Sequence, residues 1–164
     1  MTGAELLART LEAEGTDTVF TLSGNQIMPV FDAMLDTSIR LIHTRHEAAA
    51  VHMAEADAQL TNRVGVALLT AGPGFANGLA AIFTARQSQT PVLVLTGDAP
   101  LARDGHGAFQ EMDQLTAAGA FVLSYQLAAE LLNFGAFIAF MGVNPNGHLC
   151  ARCCRRWRYN RDEH

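Results

Sequence analysis

Lysine is absent from this 164-residue sequence, so all 11 basic residues are Arg. Up to Ala120, 6 Arg stand against 13 Asp and Glu, and the whole chain has a formal net charge of −5. An acidic body with scattered Arg does not form the basic patch with which proteins bind nucleic acid. We therefore expect no nucleic-acid partner.

Cysteine is confined to positions 150, 153 and 154. The first 149 residues therefore hold no internal disulfide framework, which fits a reducing compartment. The residues after Met1, Thr-Gly-Ala-Glu, also do not begin the basic region and apolar core of a secretory signal. We expect a cytoplasmic protein.

A long hydrophobic run is missing as well. The mostly apolar stretch from Leu131 to Val143 has 13 residues, fewer than the roughly 20 that a membrane-spanning helix needs. We expect no membrane helix. With 49% hydrophobic residues the chain is long enough for one core. We predict one domain over residues 1–120 and an atypical tail over residues 121–164.

Apolar segments of strand character alternate with segments of helical periodicity. Strands are predicted at residues 18–22, 39–43, 63–70 and 91–96, with helices before and between them. This alternation is typical of an α/β fold, a doubly wound parallel sheet flanked by helices. Ligands of such sheets bind at the carboxyl ends of the strands. The turns at that edge are therefore the candidate site.

Glu47 lies at this edge. The run T-R-H-E-A-A-A-V-H-M-A-E-A from Thr44 to Ala56 follows the second predicted strand and begins a helix, with Glu47 in its first turn. A purely structural interpretation competes with a functional one. Thr44 and Glu47 have the spacing of a capping box, in which each side chain binds a backbone donor of the other. Local sequence alone favours the cap, because such caps are common at helix starts.

Five segments, in this order and spacing, resemble the amino-terminal, pyrimidine-binding domain of thiamine diphosphate enzymes. The resemblance is to the acetolactate synthase-like group, which includes benzaldehyde lyase and oxalyl-CoA decarboxylase. The segments are G-T-D-T-V-F-T-L-S-G-N-Q-I-M-P-V-F-D-A (Gly15 to Ala33), R-H-E-A-A-A (Arg45 to Ala50), L-L-T-A-G-P-G-F-A-N-G (Leu68 to Gly78), P-V-L-V-L-T-G (Pro91 to Gly97) and A-F-Q-E-M-D-Q (Ala108 to Gln114).

The resemblance implies that the chain binds thiamine diphosphate and that Glu47 hydrogen-bonds the aminopyrimidine ring of this cofactor. A carboxyl group there favours the ring tautomer that takes the proton from the thiazolium carbon, while the remaining chemistry belongs to the cofactor. The resemblance also implies cofactor contacts at Gly24, Pro73, Gly74 and Asn77. From the residues alone, the Gly72-Pro73-Gly74 run could equally be only a tight turn.

The resemblance places Asn25, Gln26 and Phe109 in the substrate pocket and makes Gln110 a catalytic hydrogen-bond donor. Gln26 stands where some members of the family carry a His that handles substrate protons. A neutral amide can orient a substrate but cannot move a proton at neutral pH. The substrate therefore stays open. His43, His46 and His52 lack the companions of a metal site, and we predict none.

The family binds the cofactor's diphosphate through Mg²⁺ on a separate domain, which begins with Gly-Asp-Gly and carries a later Asn. No such motif occurs in these 164 residues. Because Mg²⁺ is bound by a few carboxylates together with substrate phosphates, we expect this chain alone to bind the cofactor poorly. The diphosphate-binding domain of a partner chain is expected to supply the rest, in a homo- or hetero-oligomer such as a dimer.

After about Ala120 the sequence departs from the family. The candidate metal ligands of the tail are His148, Cys150, Cys153 and Cys154. One Cys pair of zinc-site spacing without a second pair does not establish such a site. The basic run with Trp157 and Tyr159 could touch an anionic surface. Our preferred hypothesis is that the tail comes from a frameshifted or truncated reading frame.

We therefore predict one part of a thiamine diphosphate-dependent transferase or lyase that forms or cleaves carbon–carbon bonds of 2-oxo acids, inactive without the Mg²⁺ domain. The alternative is a non-catalytic remnant or interaction domain that keeps the fold without turnover. A nucleotide-binding α/β module has only analogy of fold behind it.

Overall fold

The computed structural model describes residues 1–119, 121, 122, 124–127 and 138–141. The helices are α1 (Gly3–Ala13), α2 (Met28–Met34), α3 (Glu47–Thr61), α4 (Pro73–Gln87) and α5 (Gln114–Gly119), with 3₁₀ turns at Asn25–Ile27 and Leu101–Arg103. The strands are β1 (Thr18–Thr21), β2 (Arg40–His43), β3 (Gly65–Leu69), β4 (Val92–Thr96), β5 (Ser124–Leu127) and β6 (Ile138–Met141).

One sheet contains the six described strands in the order β2-β1-β3-β4-β6-β5. Strands β1 to β4 pair in parallel, as predicted. Strand β6 runs antiparallel to β4, and β5 runs antiparallel to β6. These last two strands were not predicted. A short apolar run such as the one that contains β6 fits a strand or a buried helix equally well by periodicity.

Helices cover both faces of the sheet. Helices α1 and α2 pack on one face, where their buried residues join Val19, Val66, Leu68 and Leu95 of the strands in one core cluster. Helices α3, α4 and α5 pack on the other face, over a second cluster. The strand residues of this second cluster are Phe20, Ala67, Leu69, Val92 and Val94. The predicted doubly wound α/β fold is therefore confirmed for the four parallel strands.

The start of α3 differs from the predicted cap. The Thr44 hydroxyl donates to the backbone carbonyls of Thr21 and His46, at 3.2 and 3.0 Å. The residue that caps the helix is His46, whose Nδ1 accepts the Ala48 amide proton at 3.2 Å. The capping-box interpretation of Thr44 and Glu47 was therefore wrong. The Glu47 side chain is left available for contacts away from its own backbone.

Several predictions on the tail fall outside the described residues: the candidate metal ligands His148, Cys150, Cys153 and Cys154, and the basic run with Trp157 and Tyr159. Within the described residues, no helix has both the length and the apolarity to cross a membrane. The same part of the chain contains no group of three or more His, Cys, Asp or Glu arranged to hold a metal ion.

Two phenylalanines of α4 provide a matched test of this packing. Phe75 is fully buried in the second core cluster, whereas Phe83 is 44% exposed and meets the Phe121 ring edge-on at 5.9 Å. We expect Phe75→Ala to lower the free energy of unfolding by about 3–5 kcal/mol, because it leaves a cavity. We expect Phe83→Ala to cost about 1 kcal/mol, the value of an aromatic pair. Urea unfolding of both variants measures this, and equal losses would contradict the assigned core.

Candidate functional site

Four buried threonines mark the carboxyl edge of the parallel sheet. They are Thr21, Thr44, Thr70 and Thr96, each at the end of a parallel strand or directly after it. Thr21 Oγ1 donates to the Leu68 carbonyl at 2.6 Å, and Thr96 Oγ1 donates to the Thr70 carbonyl at 3.1 Å. Since buried hydroxyls need partners, these bonds fix how neighbouring strand ends sit. The turns that follow the strands are positioned by them.

Glu47 is the first residue of α3 and is only 7% exposed. Its Oε2 accepts a hydrogen bond from Asn77 Nδ2 at 3.0 Å. Its Oε1 has no hydrogen-bond partner among the described residues. Because no fully buried side-chain oxygen of the described chain lacks a partner, Oε1 reaches the surface. The carboxylate is thus held by one oxygen and presents the other at the sheet edge.

Gly74 lies beside that free oxygen. A Cβ at Gly74 would come within 3.1 Å of Glu47 Oε1 and 2.5 Å of Thr70 Cγ2. Gly24 closes in from the other side, where a Cβ would lie 2.2 Å from Thr70 Oγ1. The turns after β1, β2 and β3 therefore meet around Thr70. Because Gly24 and Gly74 have no side chains, they leave the space that the Thr70 side chain fills.

Gln26 joins this group through Thr70, whose hydroxyl donates to Gln26 Oε1 at 2.9 Å. Its Cβ also packs against Gly97 after β4, where an added Cβ would lie 2.6 Å away. Beneath this contact, the fully buried Gln114 accepts from Thr96 Oγ1 at 3.2 Å and donates to the Gly97 carbonyl at 3.0 Å. The turn after β4 is thereby tied to the start of α5.

The loop after β4 returns to the same edge at Gln110. Gly72 has a φ of +58°, and a Cβ there would lie 2.4 Å from the Gln110 carbonyl oxygen. Gln110 itself has a φ of +63°, in the left-handed region that non-glycine residues rarely adopt. The backbone of the loop is therefore pressed against the Gly-Pro-Gly turn. No hydrogen bond of the Gln110 side chain is described.

The predicted site residues separate into two groups. Glu47 bonds Asn77 and lies beside Gly74, Gly24 and Gln26 join them through Thr70, and the Gln110 backbone contacts Gly72. Three others lie on the rim, namely the exposed Asn25, Pro73 and Phe109, and the structure describes no contact between them and Glu47. Thr70 was not among the predicted site residues. Its signal in the sequence is a polar residue that ends an apolar strand, directly before Ala71 and Gly72.

Glu111 organises the loop that carries Phe109 and Gln110. Its Oε2 accepts the Ala108 amide proton at 2.7 Å, and its Oε1 accepts that of Gly105. These hydrogen bonds hold the pKa of Glu111 below its ordinary value of 4.5, and the bond from the Ala108 amide has the largest effect. At the start of the loop, partial burial raises the pKa of Asp98. Glu111 is therefore the charged partner that gives this loop its shape.

The family model for "Thiamine pyrophosphate enzyme, N-terminal TPP binding domain" matches residues 1–117. The chain belongs to this family. The resemblance found in the sequence is confirmed, and the matched residues contain α1 to α4, β1 to β4 and the whole group around Glu47.

Curated relatives of this TPP-binding domain align over the same region. The acetolactate synthase large subunit IlvG of Mycobacterium tuberculosis is 48% identical over 115 residues, which are 70% of this chain and 21% of the relative. The 2-hydroxyacyl-CoA lyase 2 of Danio rerio is 42% identical over 114 residues, 70% of this chain and 18% of the relative. The chain thus spans about a fifth of the length of these relatives.

Gly74→Ala should disturb the TPP-binding domain at its candidate site. The added Cβ meets Thr70 Cγ2, a short side chain that has no free space to move into. We expect a loss of about 1–3 kcal/mol in the free energy of unfolding, as overpacking typically costs. Gly119→Ala is the control, because a Cβ there meets nothing within 4 Å. Chemical denaturation measures both, and an unchanged Gly74→Ala variant would contradict the close packing around Thr70.

A second prediction concerns the Glu111 loop and pH. Because the pKa of Glu111 is depressed in the folded chain, its contribution to loop order is present above the ordinary value of 4.5 and is lost as pH falls through the folded value. We expect the amide proton resonances of Gly105 and Ala108 to move upfield in this acidic window, as followed by NMR. Glu111→Gln should abolish that titration. Asp104→Asn, the same charge change on the same loop, should keep it, and an identical titration in both variants would refute the assignment.

Proposed function

We propose that this chain supplies the glutamate, Glu47, that hydrogen-bonds the aminopyrimidine ring of thiamine diphosphate in an acetolactate synthase-like enzyme acting on 2-oxo acids. One observation carries the proposal: Asn77 holds Glu47 Oε2, while Oε1 has no hydrogen-bond partner within the described part of the chain and lies at the carboxyl edge of the sheet. A carboxylate bound in this way has a fixed orientation and one oxygen available to a ligand.

The residues around Glu47 fit a flat heteroaromatic ring. Gly74 places backbone rather than a side chain beside the free oxygen, which leaves room for close approach. Glu47 also sits at the amino end of a 15-residue helix, where the helix dipole favours negative charge. Bound thiamine diphosphate would supply a carbon nucleophile, and the chain's part is to hold the pyrimidine and its proton.

We further infer that a partner chain contributes a diphosphate-binding domain with its Mg²⁺. The matched relatives are named as acetolactate synthases and 2-hydroxyacyl-CoA lyases, and their aligned region is only about a fifth of each. Two large apolar side chains exposed on packed helices support oligomer formation, since Met53 of α3 is 40% exposed and Phe83 of α4 is 44% exposed. Exposed apolar surfaces of this kind often mark contacts between proteins.

Isothermal titration separates this function from that of a non-catalytic remnant or interaction domain. Thiamine diphosphate with Mg²⁺ is titrated into the full chain, alone and after mixing with a candidate diphosphate-domain chain. Heat that appears only with the partner supports the enzyme half. The absence of heat in both titrations, with a partner shown to bind this chain, would support the remnant.

Glu47→Gln tests the role of the carboxylate directly. In the complex with the partner, we expect the exchange of the thiazolium proton with solvent to slow by at least about 100-fold. This is the size of effect that follows the loss of a general acid–base contribution. Glu55→Gln is the matched control, because Glu55 is also buried in α3 but bonds Ser88 instead. Proton exchange is measured by NMR, and equal rates in wild type and Glu47→Gln would refute the role.

A further inference from the structure

Thr70 has one described acceptor for its hydroxyl proton. The side chain is 7% exposed, and Oγ1 donates to Gln26 Oε1 at 2.9 Å. If the amide of Gln26 were turned over, its N–H would meet Oγ1, and the hydroxyl proton would have no described acceptor. A buried hydroxyl without an acceptor is costly. The contact therefore selects one of the two orientations of the amide.

The rotamer of Thr70 is fixed by its glycine neighbours. Its Oγ1 faces Gly24 and its Cγ2 faces Gly74, each at a distance that leaves no room for a Cβ on the glycine. Thr70 cannot exchange the positions of hydroxyl and methyl without changing both contacts. Close packing thus restricts the Thr70 side chain, and the hydrogen bond directs its hydroxyl to Gln26.

The orientation of the amide decides what Gln26 offers a ligand. Its Oε1 is occupied by Thr70, whereas its Nε2 has no hydrogen-bond partner among the described residues. Since no fully buried side-chain nitrogen of the described chain lacks a partner, Nε2 reaches the surface. A Gln side-chain nitrogen carries two donors and no acceptor. Gln26 therefore turns its two N–H donors toward the surface at the sheet edge, while its Oε1 faces Thr70.

We propose that Thr70 is a positioning residue that fixes Gln26 as a hydrogen-bond donor, so that the site selects substrates with an acceptor oxygen, a carboxylate or a carbonyl, next to the reacting centre. The inference rests on the proposed function for its placement beside the cofactor. Glu47 and Gln26 lie on the two sides of Thr70, since Gly74 separates Thr70 Cγ2 from Glu47 Oε1. Cofactor and substrate would therefore meet across this one threonine.

The first measurement uses the free, ¹⁵N-labelled full chain and needs no cofactor. In wild type, the side-chain amide of Gln26 should be ordered on the picosecond-to-nanosecond timescale, as read from its heteronuclear NOE. Thr70→Val keeps the shape and removes the hydroxyl, and it should release the amide. Thr70→Ser keeps the hydroxyl and should preserve the order. A Gln26 amide that is equally ordered in Thr70→Val would overturn the positioning role.

The second measurement titrates pyruvate, a small 2-oxo acid, and follows the Gln26 side-chain resonances. Loss of one oriented hydrogen bond should weaken binding about fivefold in Thr70→Val, whereas Thr70→Ser should stay within about twofold of wild type. Gln26→Glu exchanges the donors for an acceptor oxygen and should abolish the binding. Backbone spectra show that each variant is folded.

The outcomes separate this inference from the proposed function. Pyruvate that leaves the Gln26 resonances of wild type unmoved would overturn the substrate selection, whatever the cofactor experiments show. Pyruvate that binds Thr70→Val and wild type equally would overturn the positioning by Thr70. Failure of Glu47→Gln to slow thiazolium exchange would refute the role of Glu47 and leave both NMR results standing.

Discussion

Hydrogen bonds from threonine hydroxyls to backbone carbonyls hold the carboxyl edge of the parallel sheet together. Thr21 reaches across to β3, Thr44 reaches to β1, and Thr96 reaches to the residue that follows β3. Each bond joins a strand end to its neighbour just where the regular ladder stops. The turns that bear Gly24, Glu47 and Gly74 begin directly after these ties, so their relative positions depend on them.

Much of this arrangement could be predicted from the sequence. The alternation of apolar strands with helices predicted four parallel strands, and Glu47 was correctly placed at the start of the helix that follows the second strand. Local patterns suffice for such features because their causes are local: periodicity, glycine and proline punctuation, and strand length.

Other features depend on contacts between distant residues. The bond between Thr70 and Gln26 joins positions 44 apart, and that between Asn77 and Glu47 joins positions 30 apart. Local sequence patterns do not predict hydrogen bonds between residues so far apart in the chain. The prediction of the α3 cap was wrong for a related reason. The Thr44 hydroxyl donates to backbone carbonyls, and His46 caps the helix instead. Two competing partners were within reach, and only the folded chain decides between them.

Helix α3 contains two buried glutamates that differ in their surroundings. Glu55 has both oxygens engaged, Oε1 by Ser88 at 2.6 Å and Oε2 by His52 at 3.4 Å, near the amino end of β4. Glu47 has one oxygen engaged, at the opposite edge of the sheet. Burial alone does not distinguish the two. Glu47 differs in that its Oε1 has no hydrogen-bond partner among the described residues and lies among the strand-end turns.

The crowding around Thr70 also bears on how such a domain can change over evolution. Any side chain larger than hydrogen at Gly24 or Gly74 would strike Thr70, so these two positions accept almost no increase in volume. Asn25 and Phe109 are exposed on the rim, where a mutation displaces no neighbour. Sequence change in this part of the fold is therefore tolerated at the exposed positions and restricted at the two glycines. The packing around Thr70 could in this way stay the same while the surface beside it diverges.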